Sequence, residues 1–129
     1  MDMTQALTEH YRAYIEAWNG RDFESLAGFF DTPCMIVTPQ GAESFASLAA
    51  YQARQRDSFA EYEARGYSHT VVGDVTVAPF GDGLALLDAP DVRRMHADGS
   101  IMERRNAHYV LRLTPDGWRF TLVASYIAS

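Results

Sequence analysis

The stretch YRAYIEAWNGRDFESLAGFFDTPCMIVTPQG, Tyr11 to Gly41, decides the fold. Across Thr4 to Trp18, the residues Leu7, Tyr11, Tyr14, Ile15 and Trp18 recur at helical spacing. Glu9, Arg12 and Glu16 fall mainly on the other side, so the segment reads as an amphipathic helix. Asn19-Gly20 supplies residues that tolerate a left-handed C-cap, and Asp22 is a good N-cap for a second, shorter helix carrying Phe23, Leu26, Phe29 and Phe30. Asp31-Thr32-Pro33 stops that helix. Cys34 to Thr38 then reads as a short buried strand, closed by Pro39-Gln40-Gly41.

Beyond this stretch a third helix is expected from near Ser44, through Phe45, Leu48, Phe59 and Tyr62, to Gly66. The polar run Gln52 to Asp57 gives it a wide solvent face. After Gly66 the period changes to two. Residues 68–78 alternate as a strand, and Phe80-Gly81-Asp82-Gly83 turns the chain. Leu84 to Asp88 is a strand that Ala89-Pro90-Asp91 interrupts with a bulge or an edge, and Val92 to His96 resumes it. Asp98-Gly99 is a hairpin signal, Ile101 to Leu113 a long strand, Thr114 to Gly117 a turn, and Trp118 to Ile127 the last strand.

Helices followed by a meander of strands give an α+β fold, with three N-terminal helices covering one face of a curved, mostly antiparallel sheet. Ala107, Tyr109, Leu111 and Leu113 share the face toward the helices, while Arg104, Asn106, His108 and Arg112 share the other. The final strand is apolar on both sides, with Trp118, Phe120, Leu122 and Tyr126 on one and Val123 and Ile127 on the other. A sheet apolar on both faces needs a second cover, and another copy of the chain is the simplest, so a homodimer through the outer face is expected.

Composition bounds the function. The 129 residues fit one domain, residues 1–129, with a core large enough to need no metal or disulfide. A net charge of −6 argues against a nucleic acid or an anionic membrane as partner. All 11 basic residues are Arg, which excludes Schiff-base chemistry, a lysine base and a Walker-type phosphate lysine. Cys34 is alone, so no intrachain disulfide or cysteine zinc site forms, and no export or anchoring signal stands out. A cytoplasmic setting is expected.

Tyr14 to Asp22, Leu26 to Phe30, the Pro39-Gln40-Gly41 turn, Ala107 to Arg112 and Gly117-Trp118-Arg119 together resemble the NTF2-like superfamily. That superfamily includes SnoaL-like polyketide cyclases, ketosteroid isomerase and scytalone dehydratase. The resemblance covers essentially the whole chain and implies a cone-shaped, cystatin-like fold. Ketosteroid isomerase pairs an Asp base with an oxyanion hole made by a Tyr and a protonated Asp. By the resemblance Tyr14 stands at the oxyanion tyrosine, Thr38 where the base precedes a proline, and Tyr109 near the third position. A threonine hydroxyl is too weakly basic to abstract a carbon-bound proton at neutral pH.

The candidate catalytic residues are therefore Tyr14, as hydrogen-bond donor, and Asp88. Asp88 shares a face with Leu84 and Leu86. It is either an inward base, partnered by Arg105 or His108, or a solvated residue at the Pro90 bulge. Candidate ligand contacts are Trp18, Phe30, Met35, Thr38, Phe59, Leu86, Tyr109 and Leu111. Arg93-Arg94 and Arg104-Arg105 form either a solvated rim or an anion clamp at the pocket mouth. His10, His69, His96 and His108 lack metal-ligand spacing, so no metal is expected, and no cofactor either. The ligand is expected to be a small apolar or aromatic molecule, bound with or without a cofactor-free isomerisation, cyclisation, dehydration or hydrolysis. The other reading is a non-enzymatic binding or dimerisation module.

Overall fold

A computed structural model describes residues 2–128. Three helices, α1 (Met3–Asn19), α2 (Phe23–Gly28) and α3 (Leu48–Ala64), pack on seven strands. The strands are β1 (Phe30–Thr38), β2 (Gly41–Phe45), β3 (Tyr67–Val72), β4 (Thr76–Pro79), β5 (Leu84–His96), β6 (Ile101–Thr114) and β7 (Gly117–Ile127). Their order in the sheet is β2-β1-β7-β6-β5-β3, with β4 pairing along the other half of β5. Only β1 and β7 run parallel. This is the expected α+β architecture, with helices on one face of a mostly antiparallel sheet. No helix among the described residues is long and apolar enough to cross a membrane.

The first helix follows the apolar spacing, and Leu7, Tyr11, Tyr14 and Trp18 are its buried residues. Asp2 caps it by accepting from the Gln5 amide, as Asp22 caps α2 through Ser25. The strand β1 begins at Phe30, earlier than the Asp31-Thr32-Pro33 stop suggested. Its register with β7 slips between Phe30 and Met35, where Pro33 has no amide to donate. The segment Gly41 to Phe45 is strand β2, paired with β1 across the Pro39-Gln40 turn, rather than the approach to a helix. Helix α3 instead starts at Leu48, with Ser47 as its cap.

Two breaks in strand periodicity fix the faces of the sheet. Pro90 and Asp91 form a bulge inside a continuous β5: Ala89 pairs with Ala107, and the next paired residue is Val92, opposite Arg105. Parity flips there, so Ala85, Leu87 and Ala89 face the helices before the bulge and Val92 does after it. The second break lies at Thr121. Phe120 pairs with Leu111, but the next paired residue, Leu122, opposes Val110. Leu122 is thereby turned to the outer face and Val123 inward, the reverse of simple alternation.

Asn19 does more than end α1. Its Nδ2 donates to the Thr70 carbonyl at 2.9 Å and its Oδ1 accepts from the Thr70 amide at 2.8 Å, so one side chain continues the ladder beyond edge strand β3. Beside it Trp18 Nε1 donates to the Tyr67 hydroxyl at 2.9 Å. Replacing Asn19 by Ala leaves the Thr70 amide and carbonyl without these partners. We expect Asn19→Ala to cost about 2 kcal/mol in urea unfolding, roughly one per lost bond; a change below a few tenths would show that water replaces the amide.

Candidate functional site

A cavity of about 140 Å³ lies between α1, α3 and the inner sheet face, a volume on the scale of a single aromatic ring. Tyr14 and Trp18 wall it from α1, Ile36 and Thr38 from β1, Tyr109 from β6, and Val123 and Ser125 from β7. The α3 wall is Tyr51, Arg54, Gln55, Ser58 and Tyr62, which recur at offsets that place them on one helix face. That face is polar and aromatic, so a search for apolar periodicity passes over it. Gln55 lies within the run expected to face solvent, yet it is only 3% exposed. The correction follows from its position: it is one turn from both Tyr51 and Phe59, which are 2% and 1% exposed and anchor the helix to the core.

Gln55 is the least satisfied polar group in the cavity. Both its amide nitrogen and its amide oxygen are buried and without a hydrogen-bond partner among the described residues. The Tyr14 and Tyr51 hydroxyls lie close enough to act on the amide as hydrogen-bonding neighbours, but neither contact has the geometry of a full hydrogen bond. Burial pushes the Tyr14 phenol up to about 12, against a smaller opposing pull from Arg94. Burial also raises Tyr51 and Tyr109 well above the ordinary phenol value. These hydroxyls stay protonated at neutral pH and can donate hydrogen bonds.

At the β5 and β6 wall the cavity meets Arg94 and Arg105, brought inward by the Pro90 bulge and by strand parity with Tyr109. Behind them Glu103 is buried and accepts from three arginines: Arg105 at 2.9 Å, Arg65 at 3.0 Å and Arg94 at 3.3 Å. Burial alone would raise the Glu103 pKa. The hydrogen bond from Arg105 and the charge of Arg94 outweigh it, and hold the group below the usual carboxylate range. The Arg94 guanidinium also lies over the Tyr62 ring, 4.1 Å from its centroid. Of the paired arginines, Arg94 and Arg105 line the cavity. Arg93 pairs with Asp91 instead, and Arg104 is exposed.

Among the described residues no carboxylate, histidine or cysteine lines this cavity. A family model for NTF2-like proteins, DUF6841, matches residues 4–127. The chain belongs to that NTF2-like family. An NTF2-like protein with a cystatin-like fold from Novosphingobium aromaticivorans superposes with a TM-score of 0.75 at 19% identity, over 97% of this chain and 81% of that one. ActVI-ORFA from Streptomyces coelicolor gives 0.76 at 18% identity, over 95% of each chain. A proposed dehydratase of the NTF2-like family from Streptomyces avermitilis gives 0.72 at 20%, over 98% of this chain and 96% of that one. At these identities the likeness shows the fold alone. Among curated proteins none matches the sequence.

Within this NTF2-like chain the structure brings together Tyr14, Trp18, Thr38 and Tyr109 from the sequence candidates. Thr38 also accepts from the Gln40 amide at 3.3 Å, so it holds its turn and lines the cavity at once. Phe30, Phe59 and Leu111 are closed into the core rather than lining the cavity. Met35 and Leu86 sit on the outer sheet face, because each alternates with inward residues of its own strand. Asp88 is also on the outer face, two residues from Leu86, and its Oδ1 lies 2.5 Å from His108 Nδ1. The bulge follows Asp88 rather than preceding it, so nothing turns the carboxylate inward. His108 in turn stacks on Tyr126, with centroids 6.1 Å apart.

Glu103 ties the arginine wall together, and its depressed pKa sets a pH dependence. Its contribution to stability is complete above its ordinary value of 4.5 and is lost as pH falls through the lower folded value. Glu103→Gln should cost about 3 kcal/mol at pH 7 by urea unfolding, since it strands buried guanidinium charge. The variant should also show a smaller loss of stability between pH 5 and pH 3 than the parent. Parallel pH profiles for the two proteins would contradict this assignment.

Proposed function

We propose that the cavity binds a small molecule built around one ring and carrying a hydrogen-bond acceptor or donor, and that the protein works as a small-molecule-binding NTF2-like domain. The observation that carries this reading is the buried Gln55 amide, which makes no hydrogen bond of full geometry and faces the Tyr14 and Tyr51 hydroxyls within an aromatic lining. An amide buried without a well-formed hydrogen bond costs stability, up to about 1–3 kcal/mol when wholly unsatisfied, and a ligand that completes its bonding recovers part of that cost. The cage suits ring stacking. Trp18 and Tyr14 have centroids 6.4 Å apart, and Tyr109 lies 6.3 Å from Tyr14.

Binding is favoured over acid–base catalysis because the lining offers no group that accepts a proton near neutral pH. Tyr14, protonated up to about pH 12, serves as a donor to a ligand carbonyl. Asp88, on the far side of the sheet, takes no part. Acetophenone, a one-ring ketone, is a suitable probe, with ethylbenzene as its apolar control. Gln55→Leu should raise the stability of the empty protein by about 1 kcal/mol while weakening acetophenone binding roughly tenfold in calorimetry. A variant that loses stability and keeps its affinity would overturn the role of the amide.

We also propose that two copies pair through the outer sheet face. Met35, Leu122, Val110 and Leu86 are in direct cross-strand register and form an apolar row over β1, β7, β6 and β5. Leu84 and Tyr126, each 41% exposed, extend the apolar surface on that face. Val123, which simple alternation puts on the side opposite Phe120, lines the cavity instead because of the register break at Thr121. Leu122→Asp should convert a dimer to a monomer in analytical ultracentrifugation. A parent chain that is monomeric at micromolar concentration, or a variant that stays dimeric, would refute this placement.

A further inference from the structure

We infer that the ligand of this cavity is an anion, a ring bearing a carboxylate, held by Arg94 with support from Arg105. The inference rests on the binding reading above and narrows it to a ligand class. Three charged side chains line the cavity, Arg54, Arg94 and Arg105, and all three are cations. Arg54 is spoken for at the rim, where it pairs with Glu43 at 2.9 Å. The other two are 13% and 14% exposed at the side chain, which is deep burial for guanidinium groups.

Their one acid is shared. Glu103 carries a single negative charge, is contacted by Arg65, Arg94 and Arg105, and is absent from the cavity lining. The wall between Glu103 and the cavity therefore holds excess positive charge. Arg105 is the better satisfied of the pair, because its Nε also donates to Ser125 Oγ at 2.7 Å. Arg94 makes only the longer Nε contact, at 3.3 Å, and its two Nη groups have no hydrogen-bond partner among the described residues. A guanidinium stacked over Tyr62, with its Nη edge unpaired, has the planar fork that a carboxylate fills with two parallel bonds.

A second observation points to the same place. Gln55 presents to the same cavity a buried amide with no hydrogen bond of full geometry, so a ligand there meets a cation and a neutral donor and acceptor at once. The influence of Arg94 also reaches Tyr14 and Tyr109, lowering phenols that burial raises. The volume of about 140 Å³ leaves room for one ring and its acid group.

The test compares benzoate with benzamide, which has nearly the same shape without the charge, and uses acetophenone as the neutral ring ketone. Isothermal calorimetry on the full chain should show benzoate binding at least about tenfold more tightly than benzamide. Arg94→Gln should abolish that preference, and Arg94→Lys should restore it in part. Equal affinities for benzoate and benzamide in the parent protein would overturn the inference, and that comparison needs no variant to fold. If acetophenone binds and benzoate does not, the anion assignment alone fails. If none of the three binds, the binding reading fails and this inference falls with it.

Discussion

A residue in a strand can face only one side of its sheet, and the whole site depends on where that rule is broken. At Pro90 and Asp91 an extra residue in β5 flips parity, carrying Val92 and Arg94 to the helix side. At Thr121 a second break does the same in β7, turning Val123 and Ser125 inward and Leu122 outward. Without the first break Arg94 would join the outer surface. Without the second, Leu122 rather than Val123 would meet the cavity, and Arg105 would lose Ser125 as its acceptor. The two breaks thus give one face an arginine wall and the other an apolar row.

The inner face is then divided by chemistry. One side of the cavity is backed by aromatic packing: Phe30, Phe120 and Tyr109 meet Tyr14 edge-on, and Trp18 lies 4.1 Å from Phe59 between centroids. The other side stays open because its residues are polar and cannot collapse onto one another without unpaired groups. Gln55, Arg94 and Arg105 hold it so, with Glu103 fixing the arginines from behind. A core that retains an unsatisfied amide and under-neutralised guanidinium groups gives up stability that apolar side chains would provide. That trade is common where a protein keeps a place for a ligand.

Much of the frame was legible in the sequence. The buried face of α1, its end at Asn19, the Asp98-Gly99 hairpin and the inward set Ala107, Tyr109 and Leu111 all follow from period and turn chemistry. Strand β2 was not, because four of its five residues are exposed and leave no alternating apolar signal. The site was read only in part. Tyr14, Trp18, Thr38 and Tyr109 came from helix spacing and from the family resemblance, and all four line the cavity. Arg94 and Arg105 belong to the arginine pairs for which a solvated rim and an anion clamp were both open, whereas Gln55 gave no signal, because a polar residue in a helix normally marks the solvent side. Met35 and Leu86 lie on the outer face, and of the two alternatives for Asp88 the outward one holds, because alternation alone does not say which face of a two-sided apolar strand is the inner one. The bulge that decides the matter for Arg94 is signalled by Pro90, but the direction of the parity change is set only by pairing with β6.

The central claim is that the space between Tyr14, Gln55 and Arg94 is a ligand site rather than a packing remnant. A crystal structure of the protein grown with benzoate tests it most directly. The account predicts one benzoate in the cavity, its carboxylate within hydrogen-bond distance of the Arg94 Nη groups and its ring among Tyr14, Trp18 and Tyr109. A cavity closed by side-chain collapse, with Gln55 hydrogen-bonded inside the protein and benzoate only at the surface, would contradict it.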